Sequence, residues 1–492
     1  MNVINSPGTN DKSFWHSLFH AHSIAVIGAK GTIGSWGHDA MRAAIESAKA
    51  KTGRQAYAVN PSEAEVLGLK SYKSVLDIPG PVELAIIVVP ATVVPQVFRQ
   101  CAEKKVKVAV IVSAGFAEAD ASGAKLEAEV KAIAQEGGIR FTGPNCNGHA
   151  DMHTRVASVG FAGMIPAGPM ALLSQSGTLG ASIMMIAASR GIGLSKFVST
   201  GNEADLRLED YLEYLAQDED TRIIAVYIEG LREGRRFYEL AKEITRKKPI
   251  VAMKSGTTAA SAKAARSHTG TLAGADAIYT AAFKQAGVIR AEDEEELCDV
   301  VLALRNLPLP RGNRVAILTM GGGFGVVTAE DCEKEGLEIT SLAPQTLEKM
   351  SAILPSRWTP GNPVDLVGVR PGGSDNVGAK CLQLLLEDDN VDGVISLLPP
   401  MVFPPGPMAA SFSQEQIRAI QKENDKNEEV LYRQLKQYNK PLVYIRRMNA
   451  YYAYEPAKPD APPKVTIPEY AHPRRAARVL RYLASYRKYL ES

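Results

Sequence analysis

Short apolar runs alternate with helix-favouring stretches along the whole chain, and this alternation restricts the fold to a few architectures. The first runs lie at residues 24–27, 56–59, 84–89 and 108–112 and are rich in Val, Ile and Ala. Strands that are apolar on both faces are typical of parallel sheets covered by helices. Because the pattern restarts near residues 170 and 314, the chain is predicted to be α/β throughout.

These restarts divide the chain, since 492 residues are too many for one hydrophobic core. We expect a doubly wound domain over residues 15–148, a second α/β domain over 165–305, a third over 311–465 and a C-terminal helix over 466–492. The intervening segments "HADMHTRVASVGFAGMIPAGP" and "LPLPRGNR" are rich in turn-forming residues. Acidic and basic residues are mixed at 412–440, which predicts a solvated helix there rather than a nucleic-acid surface.

Composition and charge exclude several classes of protein. A formal charge of +2 gives no whole-chain attraction to nucleic acid or acidic membranes. The five cysteines are scattered without CxxC spacing, which is typical of a reducing cytoplasm. Neither a signal-peptide pattern at the N-terminus nor a run of 18 apolar residues occurs, so export and a membrane span are not expected.

The tail "HPRRAARVLRYLASYRKYL" is predicted to be a basic amphipathic helix. Val479, Leu480, Leu483 and Tyr486 form its apolar side. Packing on the third domain is favoured for this side, with a partner chain as the alternative.

The stretch "GAKGTIG" places Gly28, Gly31 and Gly34 directly after the first predicted strand. Such spacing lets a phosphate approach the backbone at a helix start. A nicotinamide dinucleotide would need an acidic residue near the end of the second strand, where Asn60 and Pro61 stand first. A phosphate-containing ligand is therefore favoured over a dehydrogenase function, and glycines that serve helix packing remain the alternative.

A second turn, "SQSGTLG" from Ser174 to Gly180, opens the second domain. Exposed N–H groups at a helix start, with the hydroxyls of Ser174, Ser176 and Thr178, are predicted to form an anion cradle. A helix N-cap explains one serine but not the whole run. Because no glycine stands two residues before Ser176, a hydrolase nucleophile elbow is disfavoured.

His268 lies in "AARSHTGTLAG", among side chains too small to bury it. Phosphorylation of a ring nitrogen needs such room, and it needs an acceptor for the other nitrogen. Glu229 in "VYIEGL", at the end of a predicted buried strand, is the candidate acceptor. A surface histidine and a solvated strand end are the simpler alternatives.

The remaining histidines suggest no metal site. His149 and His153 are four residues apart, but no third ligand stands nearby, so no bound metal is expected. His16, His20 and His22 are expected on the surface of an N-terminal helix.

Eight motifs follow one another along the chain: "GPNCNG", "SQSGTLGAS", "STGNEADL", "YIEG", "KPIVAMKSG", "SHTGTLAG", "QAGVIRAEDEEELCDV" and "NPVDLVG". In this order they resemble the nucleoside-diphosphate-forming acyl-CoA synthetases, relatives of succinyl-CoA synthetase, and the resemblance extends from about residue 20 to the tail. The resemblance implies a CoA-binding Rossmann-like domain followed by two flavodoxin-like domains.

The resemblance also implies roles for individual residues. His268 would carry a phosphoryl group and Glu229 would steady it. The expected phosphate-binding residues are Ser174, Gln175, Ser176, Gly177 and Thr178. The expected CoA-binding residues are Gly28, Lys30, Gly31, Gly34, Asn60, Pro90, Ser113 and Asn145.

The implied reaction interconverts acyl-CoA, ADP and phosphate with an acid, CoA and ATP, through an acyl phosphate and a phosphohistidine. No GxxxxGK[ST] loop is present, so ADP/ATP and Mg²⁺ are expected at a separate ATP-grasp β subunit, in an α2β2-type hetero-oligomer. A non-catalytic CoA-binding sensor or scaffold with the same domains is the alternative.

Several positions depart from the family pattern, namely Asn147 in "GPNCNG", Glu203 in "GNEADL", the third-domain "MGGGFG" and the insertion around 412–440. None coincides with His268. The small carboxylic acid that is the substrate is left open.

Overall fold

The computed structural model describes residues 12–160, 162–258, 261, 276–369, 377–398, 412–419, 422, 433, 435, 437–445 and 467–492. The chain divides between Leu297 and Cys298 into two compact units. Each described sheet is mostly parallel and flanked by helices, so the predicted α/β class is confirmed. None of the described helices combines the length and apolar character needed to cross a bilayer.

The first sheet has seven strands, in the order β3-β4-β2-β1-β5-β6-β7, and only β3 runs antiparallel to its neighbour β4. The strands are β1 Ser23–Ile27, β2 Gln55–Val59, β3 Glu65–Val66, β4 Leu69–Tyr72, β5 Leu84–Ile87, β6 Val108–Ile111 and β7 Arg140–Thr142. The helices are α1 Lys12–Phe19, α2 Trp36–Ala50, α3 Val94–Glu103 and α4 Ala121–Gly137. The chain order reverses at β1, between β2 and β5, and ligands of open α/β sheets bind outside the carboxyl ends of strands at such a switch point.

Strand β1 shows why these sequences form buried parallel strands. Ile24 and Val26 belong to the hydrophobic cluster on one face of the sheet, whereas Ala25 and Ile27 belong to the cluster on the other. Since successive side chains of a strand point to opposite faces, an uninterrupted apolar run buries both.

The second sheet has six strands in the order β13-β12-β11-β9-β10-β8. They are β8 His149–Asp151, β9 Ala167–Ser174, β10 Leu194–Ser199, β11 Ile223–Ile228, β12 Ile250–Lys254 and β13 Ile289–Ala291. The helices are α5 Gly177–Ser189, α6 Leu208–Gln217, α7 Gly234–Ile244, α8 Asp276–Gln285 and α9 Glu294–Asn306.

One part of the predicted linker at 149–169 is a strand. β8 pairs antiparallel with β10 at the edge of the second sheet. Lys196 of β10 is buried, and its ammonium lies 3.2 Å from the Asp151 carboxylate and 2.8 Å from that of Asp218. Paired charges of this kind make a polar edge strand tolerable in a buried position.

The third sheet is parallel, with the order β15-β14-β17-β18-β19 and with β16 also paired to β14. The strands are β14 Arg314–Thr319, β15 Glu338–Ile339, β16 Val364–Asp365, β17 Gly393–Ser396, β18 Leu442–Ile445 and β19 Glu469–Tyr470. The helices are α10 Gly322–Lys334, α11 Pro344–Ile353, α12 Val377–Glu387 and α13 Pro473–Glu491.

The tail forms helix α13, which packs against α10 and the strands of its own sheet. Its predicted apolar side is buried there, comprising Val479, Leu480, Leu483 and Tyr486. Two arginines of the helix, Arg474 and Arg478, each lie 3.0 Å from the buried Glu335 carboxylate. The apolar side of the tail is therefore packed within its own domain.

Of the charged stretch at 412–440, residues 414–419 are helical and largely exposed, and most of the remainder lies outside the described residues.

Candidate active site

The residues predicted to meet CoA follow the carboxyl ends of consecutive strands of the first sheet. Gly28 follows β1, Asn60 follows β2, Pro90 lies beyond β5, Ser113 beyond β6 and Asn145 beyond β7. Because these strands are parallel, their carboxyl ends share one edge, and the structure brings the five positions to that edge.

The turn after β1 is shaped by Gly28. Its φ is +94°, and a Cβ there would lie 2.1 Å from the carbonyl oxygen of Val88, so no other residue fits. Asn60 holds the turn by donating from Nδ2 to the Ala29 carbonyl at 2.9 Å. Lys30, Gly31 and Gly34 are exposed. The N–H of Gly31 donates to a carboxylate oxygen of Glu63 at 3.1 Å, so this N–H already has a carboxylate partner within the chain.

The predicted anion cradle lies at the carboxyl end of β9. Ser176 is the N-cap of α5 and accepts a hydrogen bond from the N–H of Leu179 at 3.4 Å. Ser174 is fully buried, and its hydroxyl donates to the Ser176 carbonyl at 2.6 Å. Ser174 therefore holds the turn, whereas Ser176 and Gly177 are half-buried and Thr178 is exposed. These three residues are the accessible part of the cradle.

Gln175 links this turn to the end of the neighbouring strand β11. Its Oε1 accepts hydrogen bonds from the N–H groups of Glu229 at 2.6 Å and of Gly230 at 3.0 Å. Its Nε2 donates to the Gly230 carbonyl at 2.8 Å and to Glu203 Oε1 at 3.1 Å. Both the oxygen and the nitrogen of this buried amide are therefore hydrogen-bonded.

Glu229 directly follows β11 and is buried, in contrast to the alternative of a solvated strand end. Its carbonyl accepts a hydrogen bond from Lys254 Nζ at 2.9 Å. The Lys254 ammonium also lies 4.7 Å from the centre of the Tyr279 ring, and burial lowers the pKa of Lys254. Lys254 was not predicted as a site residue, although it ends the apolar run "PIVAMK", which itself predicts a buried strand.

Two further acids of this domain, Glu203 and Glu209, are buried. Glu203 accepts a hydrogen bond from the Thr200 hydroxyl at 2.9 Å in addition to that from Gln175, and burial raises its pKa. Glu209, in the first turn of α6, has no hydrogen-bond partner for either carboxyl oxygen among the described residues. Burial, reinforced by the neighbouring Glu203, raises the pKa of Glu209 to about 7.

His268 lies outside the described residues. The described chain that precedes it leaves the second sheet after Lys254, at the end of β12. β12 pairs with β11 in parallel register, with Ile228 opposite Lys254. The segment that carries His268 therefore follows the strand next to β11, which Glu229 directly follows.

His149 and His153 make hydrogen-bond contacts inside the fold. His149 is fully buried, its Nε2–H donates to the Leu18 carbonyl at 2.7 Å and its Nδ1 lies 3.0 Å from the Ser158 hydroxyl. Burial lowers the pKa of His149 to about 4. His153 contacts the Gly168 carbonyl at 3.3 Å. In the part of the chain that the structure describes, no three His, Cys, Asp or Glu side chains are grouped to hold a metal.

The N-terminal histidines only partly follow the prediction. His16 lies on α1 and is exposed, and His22 is exposed beyond the helix. His20 follows the end of α1 and is half-buried, and burial lowers its pKa.

Asn202 connects the two strand edges within the first unit. Its N–H donates to the Pro144 carbonyl at 2.9 Å, and its side-chain Oδ1 lies 3.3 Å from Asn145 Nδ2. Its Nδ2 donates to Glu118 Oε2 at 2.5 Å. Asn202 lies in the motif "STGNEADL", but its connecting role depends on tertiary contacts that the motif alone does not predict.

Three family descriptions match the chain in sequence order. A CoA binding domain matches residues 22–151, a succinyl-CoA ligase like flavodoxin domain matches 167–304, and a Ligase-CoA domain matches 315–427. The order agrees with the predicted Rossmann-like domain followed by two flavodoxin-like domains.

Individual relatives agree with these matches. The chain is 42% identical over 408 residues to the alpha subunit of ADP-forming acetate–CoA ligase II from Pyrococcus furiosus, covering 83% of this chain and 87% of that one. It is 43% identical to ADP-forming acetate–CoA ligase I from Archaeoglobus fulgidus, covering 78% of this chain but 54% of the relative. It thus spans most of the first relative and about half of the second.

A solved structure is similar over nearly the whole chain. It is the dinucleotide-forming acetyl-coenzyme A synthetase 1 of Ca. Korarchaeum cryptofilum in complex with phosphate and ADP, with a TM-score of 0.78 and 29% identity. The match covers 97% of this chain and 98% of that chain.

Proposed function

This chain belongs to the ADP-forming acid–CoA ligase family, and from that premise we propose that it is an α-type subunit that interconverts acyl-CoA, ADP and phosphate with free acid, CoA and ATP. The observation that carries the proposal is a hydrogen bond between the anion cradle and Glu229. Gln175, within the helix-start turn, accepts this bond from the N–H of Glu229 at 2.6 Å. A cradle for an anion and a buried acid are thereby held side by side, as phosphoryl transfer through a histidine requires. Membership of a ligase family favours this function over a non-catalytic sensor.

CoA binds along the carboxyl edge of the first sheet. Gly28, Lys30, Gly31 and Gly34 receive its phosphates at the start of α2, where backbone N–H groups favour anions. Asn60, Pro90, Ser113 and Asn145 line the same edge and contact the rest of the molecule. The support is the shared parallel edge on which these positions lie.

The first chemical step occurs at the thioester. An oxygen of inorganic phosphate attacks the acyl carbonyl carbon, the C–S bond breaks, and CoA leaves as the thiol after protonation. The N–H groups at the start of α5, with Ser176, Gly177 and Thr178, hold the phosphate and counter its charge. Ser174 and Gln175 keep this turn in place.

The second step transfers the phosphoryl group to His268. A neutral imidazole nitrogen attacks phosphorus, the P–O bond to the acyl group breaks, and the free carboxylate leaves. Glu229 accepts a hydrogen bond from the other ring nitrogen and stabilises the phosphorylated imidazole. The phosphohistidine then passes the group to the β-phosphate of ADP, and the reverse sequence activates the acid.

The nucleotide is held by a separate ATP-grasp β subunit in an α2β2-type assembly in the cytoplasm. The support is that the P. furiosus relative is named as an alpha subunit, whereas the A. fulgidus relative is nearly twice as long as the matched part. Mg²⁺ accompanies ADP or ATP at that partner and neutralises the charge of its phosphates.

The test is ATP synthesis from an acyl-CoA, ADP and phosphate, with the purified chain alone and with a co-expressed ATP-grasp partner. We expect turnover only with the partner, and a panel of acetyl, longer aliphatic and aryl thioesters identifies the acyl group. Robust turnover by the chain alone would contradict the division between subunits. A chain that neither turns over with the partner nor takes phosphate from any acyl phosphate would contradict the enzymatic function.

A further inference from the structure

The side-chain amide of Gln175 holds the backbone at Glu229, and only one orientation of this amide makes the observed hydrogen bonds. Gln175 presents its oxygen to the N–H groups of Glu229 and Gly230 and its nitrogen to the Gly230 carbonyl. A primary amide donates only from nitrogen and accepts only at oxygen. If the amide were turned over, its NH2 would face two N–H groups and its oxygen would face a carbonyl, and the end of β11 would lose these bonds.

Glu203 supplies the remaining contact of the amide. Its Oε1 accepts hydrogen bonds from Gln175 Nε2 at 3.1 Å and from the Thr200 hydroxyl at 2.9 Å. A turned amide would place the Gln175 oxygen against this carboxyl oxygen. Both side chains are buried, with 8% of Gln175 and 3% of Glu203 exposed, so water cannot replace the lost bonds and the turned orientation is costly.

Glu203 lies in a turn that is separate in sequence from both Gln175 and β11. Its backbone has φ +56°, which is uncommon outside glycine and persists where the surroundings determine it. The flanking residues fix that turn to the first sheet, since the N–H groups of Asn202 and Ala204 donate to the carbonyls of Pro144 and Gly143 at 2.9 and 3.1 Å. The backbone on both sides of the acceptor is therefore anchored to the first sheet, and the Arg232 side chain beyond Glu229 also donates to the Asn202 carbonyl at 3.0 Å.

We propose that Glu203 is a positioning residue that fixes the orientation of the Gln175 amide and thereby the place of Glu229 at the end of β11. The inference rests on the proposed function, in which Glu229 steadies the phosphorylated His268. Glu203 acts through Gln175 and Glu229 rather than on the substrate.

Three substitutions separate positioning from general stability. Glu203→Leu removes the acceptor at similar volume, whereas Glu203→Gln keeps a side-chain oxygen that can accept from Gln175. Glu209→Leu is the matched control, because Glu209 is an equally buried acid whose carboxyl oxygens make no hydrogen bond to Gln175. Thermal unfolding verifies that each variant is folded, and Glu203→Ala replaces Glu203→Leu if the latter is not.

The first measurement is hydrogen exchange of the backbone amides of Glu229 and Gly230 in the full chain. It tests the proposal independently of enzymatic activity. We expect exchange at least about tenfold faster in Glu203→Leu, because the acceptor of both N–H groups is no longer held in place. Glu203→Gln and Glu209→Leu should stay near the wild-type rate. Unchanged exchange in Glu203→Leu, or equal acceleration in Glu209→Leu, overturns the proposal.

The second measurement is the rate at which the chain takes phosphate from acetyl phosphate, alone and combined with Glu229→Gln. We expect Glu203→Leu to be slower by about fivefold or more in the wild-type background and not slower in the Glu229→Gln background, since residues that act in series are not additive. Additive losses overturn the positioning role. A wild-type chain that never takes phosphate contradicts the proposed function instead, and the exchange measurement still decides the role of Glu203.

Discussion

The side chain of Asn147 lies against the α-carbon of Gly177, so closely that a Cβ on Gly177 would come within 2.4 Å of Asn147 Cγ. Asn147 follows β7 of the first sheet and Gly177 is the first residue of α5 in the second. The helix start that receives phosphate in the proposed mechanism is therefore packed directly on the segment that borders the proposed CoA-binding edge.

We predict that Gly177→Ala slows phosphorylation of the chain and raises its KM for phosphate by about fivefold or more. The added methyl group has to displace Asn147 or the start of α5, and small shifts of a positioned anion site are costly to rate. Alanine alone would favour the helix, so a loss can be ascribed to the contact. The measurement is the phosphate dependence of labelling from acetyl-CoA.

Gly234→Ala is the matched control for this prediction. Gly234 is the first residue of α7, and a Cβ there meets no atom within 4 Å. This control should behave like the wild type, and Asn147→Ala should partly restore Gly177→Ala by making room. Wild-type kinetics in Gly177→Ala would show that the contact does not position the cradle.

We predict that Glu229→Gln slows phosphoryl transfer to the chain by at least about tenfold. The substitution removes the carboxylate that would orient the imidazole, and a positioned partner of a catalytic histidine commonly contributes that much. The main-chain bonds of Glu229 to Gln175 and Lys254 are preserved, so the strand end should stay in place. Rapid-quench labelling measures the rate, with Glu243→Gln on the exposed side of α7 as control; a normal rate in Glu229→Gln would make the residue structural.

The position of Glu229 could be predicted from sequence because it depends on local pattern. The run "IIAVYI" is a buried strand by composition, and the residue after a parallel strand lies at the carboxyl edge. The five positions expected to meet CoA came instead from the resemblance to the family. The inference about Glu229 needs no knowledge of which strands pair.

Contacts between distant segments could not be predicted in this way. Gln175 bonds to Glu203 and Gly230, which are 28 and 55 residues away, and nothing in "SQSG" specifies either partner. Likewise β8 is too polar to be recognised as a strand, because its burial depends on the pairing of Asp151 with Lys196. Ser174 was expected to offer its hydroxyl to phosphate, but that hydroxyl is committed to the Ser176 carbonyl.

We predict that His268 is the residue that carries the phosphoryl group. After exposure to acyl-CoA and radiolabelled phosphate, the chain should hold a label that is lost in acid and kept in base, because a phosphoramidate is acid-labile. His268→Ala should abolish the label, and the exposed His22 can be replaced by alanine without effect. Label that persists in His268→Ala would assign the phosphoryl group to another side chain.

The last prediction concerns Glu209 and the pH dependence of stability. Burial first, and then the nearby carboxylates of Glu203, Glu233 and Asp210, raise the pKa of Glu209 from its usual 4.5 to about 7. The folded state therefore binds a proton more tightly than the unfolded state, so this group's effect on stability is unfavourable above pH 4.5 and grows until the pH passes about 7. The full effect is on the order of 3 kcal/mol or less.

Glu209→Gln removes this charge at nearly constant shape, so we expect it to be more stable than the wild type at pH 8 and to lose that advantage as the pH falls toward 5. Chemical denaturation at both pH values measures the difference, and Glu219→Gln, at an exposed position beyond α6, should show no such dependence. Because Glu209 makes no hydrogen bond to Gln175, phosphorylation of Glu209→Gln should proceed at the wild-type rate at either pH. A stability difference that is the same at pH 5 and pH 8 would mean that Glu209 titrates normally and that its surroundings admit water.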